Sequence, residues 1–217
     1  MLTDHFPLLA LVLRTPRLEL RLPSPEELSA QADLAAEGVH DPAVMPFTFA
    51  WTDMPPKARA RSVVQHHWRT LGALTPEAWS LPFTVFRDGE VVALQSLGAK
   101  DFANLREVGS GSWVGRRFHG QGIGTEMRAA VLHLAFAGLD ALEATSGAFT
   151  DNPASNAISH KLGYRDDGVD RHIRRGEIGT TRRFRIDRES WKKHAAIEVT
   201  VTGLDPCLPM LIAESEK

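Results

Sequence analysis

A single α/β domain, with a mixed and mostly antiparallel sheet flanked by helices, is the fold this sequence predicts, and three observations carry it. Strand-like and helix-like hydrophobic patterns follow one another along the chain, with no repeat or low-complexity tract. Two pairs of strand-like runs meet at the tight turns Asp88-Gly89 and Gly176-Glu177, as antiparallel hairpins do. One further strand runs straight into a glycine-rich loop and an amphipathic helix. The length of 217 residues, 43% hydrophobic and 24% charged, suits one domain with its own core and a terminal extension.

Taken in order, Arg17-Leu18-Glu19-Leu20-Arg21-Leu22 alternates with period two and reads as a half-buried strand. Ser24-Pro25-Glu26-Glu27 supplies a cap residue, a proline in the first turn and an acid three residues after the cap. It opens a helix with Leu28, Ala32 and Ala35 on one face, ending near Gly38. Val39 to Pro56 is an irregular segment of prolines and aromatic rings, and a second helix follows over Lys57 to Leu71. Phe83 to Arg87 and Glu90 to Leu97 form the first hairpin, and Glu107 to Val114 is the next strand. Ile123, Met127, Ala130, Val131, Leu134 and Ala135 recur at helical spacing and set a helix to about Phe136. Leu142 to Phe149 is a strand, and Asn152-Pro153 starts a short helix that closes at Leu162-Gly163. Val169 to Arg175 and Ile178 to Asp187 form the second hairpin. Its arginine runs read as a solvated sheet face. A last strand, Ile197 to Val201, pairs within the sheet or with another subunit, which leaves a homo-oligomer open.

Composition excludes several classes. A formal charge of −2 gives no electrostatic case for nucleic acid or an anionic membrane as the main partner. Cys207 stands alone, so no intrachain disulfide or cysteine-based zinc site is expected, and no metal is called for. This fits a reducing cytoplasm. The apolar stretch Phe6 to Leu13 lacks a basic leader and a small-residue cleavage site, and no run is long enough to span a bilayer.

The chemistry concentrates in His119-Gly120-Gln121-Gly122-Ile123-Gly124-Thr125, set between strand and helix. Glycines let the backbone approach a ligand, and the helix start presents unpaired N–H groups with partial positive charge, so this is an anion site. A dinucleotide fingerprint fails at its third glycine, and a P-loop fails for want of lysine.

These residues resemble the pyrophosphate-binding motif of the GNAT superfamily, with Gly122 and Gly124 in place and His119 where Arg or Gln is usual. Asn152-Pro153-Ala154-Ser155-Asn156 with Lys161-Leu162-Gly163-Tyr164 resembles the helix flanking the pantetheine arm. Arg14-Thr15-Pro16-Arg17-Leu18 is similar to the opening of the ribosomal-protein N-acetyltransferase branch (RimJ/RimL-like), close to an actinobacterial subgroup. The resemblance implies an acyltransferase domain over 14–191, with 192–217 as a C-terminal extension. It also implies a sheet splayed at the acyl-CoA site beside Val114, and direct attack of a primary amine on the thioester. Val114, Gly115, Arg117, His119, Gly120, Gln121, Gly122, Ile123, Gly124, Thr125, Asn152 and Asn156 would hold acetyl-CoA or succinyl-CoA.

Many relatives carry a tyrosine seven residues after the asparagine as the acid. Ser159 stands there, and Ser155 becomes the candidate acid. Asp101 and Glu107 are candidate bases, with Asp53, His66, His67 and His172 behind them. Met45 to Trp51 would wall an acyl pocket, and Lys100 and Arg106 would meet a succinyl carboxylate. The acceptor is a protein N-terminus, a lysine or a small amine. A non-catalytic acyl-CoA-binding module is the alternative.

Overall fold

The computed structural model describes residues 1–212. The chain opens with α1 (Leu2–His5) and a 3-10 turn, then β1 (Val12–Arg14), β2 (Glu19–Arg21), α2 (Pro25–Glu37) and α3 (Pro56–Gly72). The first hairpin is β3 (Ala78–Arg87) with β4 (Glu90–Lys100), followed by the single turn α4 (Phe102–Leu105) and β5 (Glu107–Val114). α5 (Ile123–His133) runs on through a π-helical turn at Leu134–Gly138 and leads to β6 (Glu143–Phe149) and α6 (Pro153–Lys161). The second hairpin, β7 (Arg165–Arg174) with β8 (Glu177–Asp187), precedes α7 (Arg188–His194), β9 (Thr200–Thr202) and α8 (Leu208–Leu211).

Nine strands form one sheet in the order β7-β8-β6-β5-β4-β3-β2-β1-β9. Every pairing is antiparallel except β5 with β6, the pair joined through the α5 crossover. That parallel pairing lasts only three residues, Glu107 to Gly109 against Glu143 to Thr145. Beyond it β5 stays with β4 as far as Val114↔Ala93, while β6 stays with β8 as far as Phe149↔Thr181. The sheet therefore splits down its middle.

Local chemistry explains the well-read elements. Ser24 Oγ accepts from Glu27 N and the Glu27 carboxylate accepts from Ser24 N, a reciprocal cap on α2. β3 begins earlier than expected and takes in Pro82. β2 pairs with β3 only at Thr84–Phe86, so Pro82 lies beyond that ladder, where a residue without an N–H is tolerated.

The apolar N-terminal stretch is partly strand: β1 lies between β2 and β9. The C-terminal strand is found at Thr200–Thr202 and pairs with β1 of its own chain, Leu13 opposite Val201. Leu8, Leu11, Val199, Cys207 and Leu211 join the same core as Phe83, Leu97 and Phe136, and Trp79 Nε1 donates to Leu211 O at 2.7 Å. Residues on both sides of the 14–191 span are thus built into one hydrophobic core; 213–217 lie outside the described residues.

The arginine-rich hairpin is not simply a solvated face. Arg174 pairs with Asp151, Arg183 with Asp170, and Arg185 with Glu107, Glu143 and Asp167. Arg174 and Arg175 also donate to the carbonyls of Met45 and Pro42, holding the aromatic segment against the sheet.

Candidate active site

A cavity of about 1080 Å³ opens where the sheet splits. Its walls include all five residues Ser110 to Val114 of β5 and Ser146 to Ala148 of β6. Successive strand residues face opposite sides of a sheet, so a cavity touching all of them passes through it. One mouth is lined by the start of α5 and by α6, the other by α3 and the aromatic segment His40, Pro46, Phe47, Thr48, Phe49 and Trp51. Phe47, Trp51 and Trp113 pack in succession as tilted rings, with centroids 5.4 and 6.1 Å apart. Of the proposed acyl wall Met45 to Trp51, Met45 is buried in the protein rather than lining the cavity.

The glycine loop forms the first mouth. His119 through Thr125 all line it. Gly120 and Gly122 adopt φ of +73° and +80°, a region that L side chains occupy at a cost. The start of α5 has no side-chain cap, whereas Ser24, Asn152 and Asp187 cap α2, α6 and α7. The first bond into the helix is Glu126 N to Gly122 O, so the N–H groups of Ile123, Gly124 and Thr125 remain for a ligand. Gly124 lets the two helices close: a Cβ there would meet Ile158 Cδ1 at 2.9 Å. His119 Nε2 donates to Val114 O at 3.0 Å, tying the loop to the end of β5.

Two cations beside this loop were not foreseen as site residues. Arg17 donates to Gln121 O, and the place of a Cβ on Gly122 is 3.1 Å from Arg17 Nη2. Buried Glu126 holds Arg17 in position, accepting from its Nε at 2.7 Å and its backbone N at 3.1 Å, and from Thr15 Oγ1 at 2.6 Å. Arg87 donates to Gln121 Oε1 at 2.7 Å and stacks on Phe118. The N-terminal Thr15-Pro16-Arg17 motif carries a signal for Arg17, but its partner is 109 residues away.

The structure brings together Val114, His119 to Thr125, Asn152 and Ser155 as cavity lining. Asn152 Oδ1 caps α6 by accepting from Ser155 N at 3.2 Å; Ser155 lines the cavity, and its Oγ bonds no described residue. Other expected residues lie elsewhere. Gly115 packs under Leu34, whose Cδ1 sits 2.5 Å from where a Cβ would be. Arg117 is drawn off by Glu37 and Glu90, and Asn156 Nδ2 is spent on the carbonyls of Phe149 and Asn152, while its Oδ1 has no partner among the described residues.

The carboxylate bases do not reach the cavity: among the described residues no Asp or Glu lines it. Asp101 stands beyond the far end of β4, accepting from Asn104 Nδ2, because the antiparallel register puts Lys100 and Val114 at opposite ends. Glu107 is held by Arg185. Asp53 is locked to Arg175, which keeps its carboxyl below the usual range. Lys100 and Arg106 also lie off the cavity, Arg106 paired with Asp140. His172 packs edge-on against Phe149, and His67 is buried in α3.

Histidines remain. His40 Nδ1 donates to Asp41 O and its Nε2 is bonded to Thr52 Oγ1 at 2.7 Å, so both ring nitrogens are engaged. His66 lines the cavity, makes no hydrogen bond to a described residue, and has its pKa lowered by burial and by nearby Arg69. It is neutral at pH 7 with a lone pair available.

Comparison with known proteins agrees with this geometry. A family model described as "Acetyltransferase (GNAT) domain" matches residues 17–165. The fold is similar to that of Mycobacterium smegmatis RimJ in complex with CoA-disulfide, with TM-score 0.65, 21% identity, and coverage of 88% of this chain and 93% of that one. It is similar to RimL, a ribosomal L7/L12 alpha-N-protein acetyltransferase solved with coenzyme A, with TM-score 0.64, 18% identity, and coverage of 81% and 97%. A GCN5-related N-acetyltransferase from Brucella melitensis aligns with TM-score 0.65 at 19% identity, covering 83% of this chain and 80% of that one. The family match extends over more than half the chain and takes in both strands that part at the cavity: the protein belongs to the GNAT acetyltransferase family.

Proposed function

We propose that this protein transfers an acyl group from acyl-CoA to a primary amine by direct attack on the thioester. The observation that carries the reading is the uncapped, glycine-led start of α5 opening onto a cavity that passes through the split sheet. The pyrophosphate lies on the free N–H groups of Ile123 to Thr125, with Arg17 alongside. The pantetheine arm lies in the gap beside β5, whose edge past Gly109 has no strand partner there, and reaches Asn152 and Ser155. That passage delivers the thioester to the mouth walled by Phe47, Trp51 and Trp113.

The acceptor enters from the α3 side, and His66 takes its proton before attack. Holding the two reactants in line supplies most of the rate, with backbone N–H groups of β5 stabilising the oxyanion. Ser155 Oγ hydrogen-bonds the departing sulfur. The donor is acetyl-CoA or succinyl-CoA; a succinyl carboxylate would find Arg69 and His66 on the wall in place of Lys100 and Arg106. A lining without carboxylates favours amines with neutral or acidic neighbours, such as a polypeptide N-terminus, over polycationic ones.

The test is release of CoA thiol from each donor with peptide N-termini, lysine peptides and small amines. His66→Gln should lower kcat/KM by roughly a hundredfold at pH 7. In the wild type the rate should fall as pH drops through a value below the ordinary 6.5, because only neutral His66 accepts a proton. That limb should vanish in the variant. Tight acyl-CoA binding with no thiol released from any pair would make the chain a non-catalytic acyl-CoA-binding module.

A further inference from the structure

Arg128 is a cation with no anion. It projects from the second turn of α5, is 5% exposed, and lines the cavity. Among the described residues no carboxylate lies within ion-pair distance of it. Its one hydrogen bond goes from Nη1 to Ser159 Oγ at 3.0 Å, and that hydroxyl donates in turn to Ser155 O. Arg128 Nε has no partner. Ser110 Oγ, from the first β5 residue past the split, and Tyr164 Oη, just beyond α6, are also shielded from water beside it and lie within reach of one another. Arg128 and Ser110 both line the cavity, whose other charged or titratable lining groups among the described residues are Arg69, His40, His66 and His119.

Burying an unpaired guanidinium costs several kcal/mol, of order the full desolvation penalty, unless an anion joins it. The protein supplies none, so the ligand must. The phosphates of acyl-CoA are already met at the helix start, by the N–H groups of Ile123 to Thr125 and by Arg17. Arg128 points away from that end, toward α6 and the apex of the split. The remaining negative charge is the one the reaction creates.

We propose that Arg128, with the Ser110 hydroxyl beside it on the cavity wall, is the site that holds the sulfur of CoA as a thiolate. This rests on the acyltransferase reading. The amine nitrogen bonds to the thioester carbon, the C–S bond breaks, and sulfur leaves with the electron pair toward the guanidinium. His66 takes one proton from the ammonium before attack and passes it to solvent, and then takes the second, which the nitrogen loses as the amide forms. No acid need protonate the sulfur in the transition state; Ser155 contributes a hydrogen bond and Arg128 the charge.

The experiment titrates the thiol of CoA bound to the wild-type protein by its ultraviolet thiolate absorbance. The protein's single cysteine, Cys207, does not interfere, since burial pushes its pKa up to about 11. Bound CoA should ionise at least about two units below free CoA in the same buffer, a hundredfold shift. Its affinity should rise with pH relative to that of desulfo-CoA. Arg128→Lys should keep part of the shift and Arg128→Met should abolish it. Bound CoA that titrates like free CoA overturns the proposal, and so does an undiminished shift in Arg128→Met. A preference for succinyl-CoA over acetyl-CoA that disappears in Arg128→Met would give the guanidinium to an acyl carboxylate and overturn it as well. Absence of any CoA binding removes the acyltransferase reading itself, and this proposal with it.

Discussion

Gly122 concentrates the demands placed on single residues here. Its φ of +80° strains any L side chain and a Cβ would lie 3.1 Å from Arg17 Nη2, while the adjacent N–H groups are those proposed to meet phosphate. Gly122→Asp adds strain of about 1–2 kcal/mol and a negative charge. The fold should survive by circular dichroism, while calorimetry should show CoA affinity lowered by at least a hundredfold, roughly 3 kcal/mol. At Ser155 the expectation separates binding from turnover. Its N–H is committed to the Asn152 cap and its Oγ bonds no described residue, so Ser155→Ala leaves the helix start intact. Steady-state kinetics should show kcat reduced roughly tenfold with KM for the donor little changed, the signature of an interaction made mainly in the transition state. Ser159, where a tyrosine was expected by resemblance, is fully buried and accepts from Arg128 instead.

The elements owe their limits to caps and ladders. α2 starts where the Ser24–Glu27 reciprocal bonds close, with Arg21 adding a two-pronged pair to Glu27. Ser24→Ala should cost about 1 kcal/mol and lower the thermal midpoint by about 2–4 °C, with catalysis unchanged. α5 shows the opposite arrangement. It lacks the cap that α2 has, and the stability this forgoes is available to a ligand, so CoA binding should raise the midpoint. The same contrast was legible in the sequence, as Ser-Pro-Glu-Glu before one helix and Gly-Ile-Gly-Thr before the other.

At the scale of the whole molecule, α3 carries a buried imidazole whose protonation opposes folding. His67 is 4% exposed, its Nδ1 has no partner, and burial lowers its pKa to about 4. The unfolded chain takes up a proton near the ordinary 6.5, so between these values the unfolded state binds more protons and stability rises with pH. His66 and His133, also lowered by burial, act in the same direction. Unfolding free energy should therefore fall from pH 7 to pH 5 by an amount on the order of 2 kcal/mol. Urea midpoints at the two pH values measure it, and His67→Gln should flatten most of the dependence. A wild type whose midpoint is the same at both would show that His67 is solvated or paired in solution.

What the sequence determined by itself was local in origin. Hydrophobic period, capping residues and turn glycines are set by neighbours within a few positions, so β5, α5, both hairpins and the anion-binding loop could be read directly. Tertiary structure decided the charges. Arg117 was read as a ligand group but is paired with Glu37 and Glu90, whereas Glu126 holds Arg17 beside the glycine loop. Asp101 and Glu107 lost their place as bases because the register of β4 and β5 carries one to the far end and Arg185 captures the other. β1 and the edge strand β9, three residues each, carry too little pattern to be located without their partner. Whether a side chain faces a cavity, a counter-ion or water depends on residues distant in the chain, and hydrophobic period does not encode those pairings.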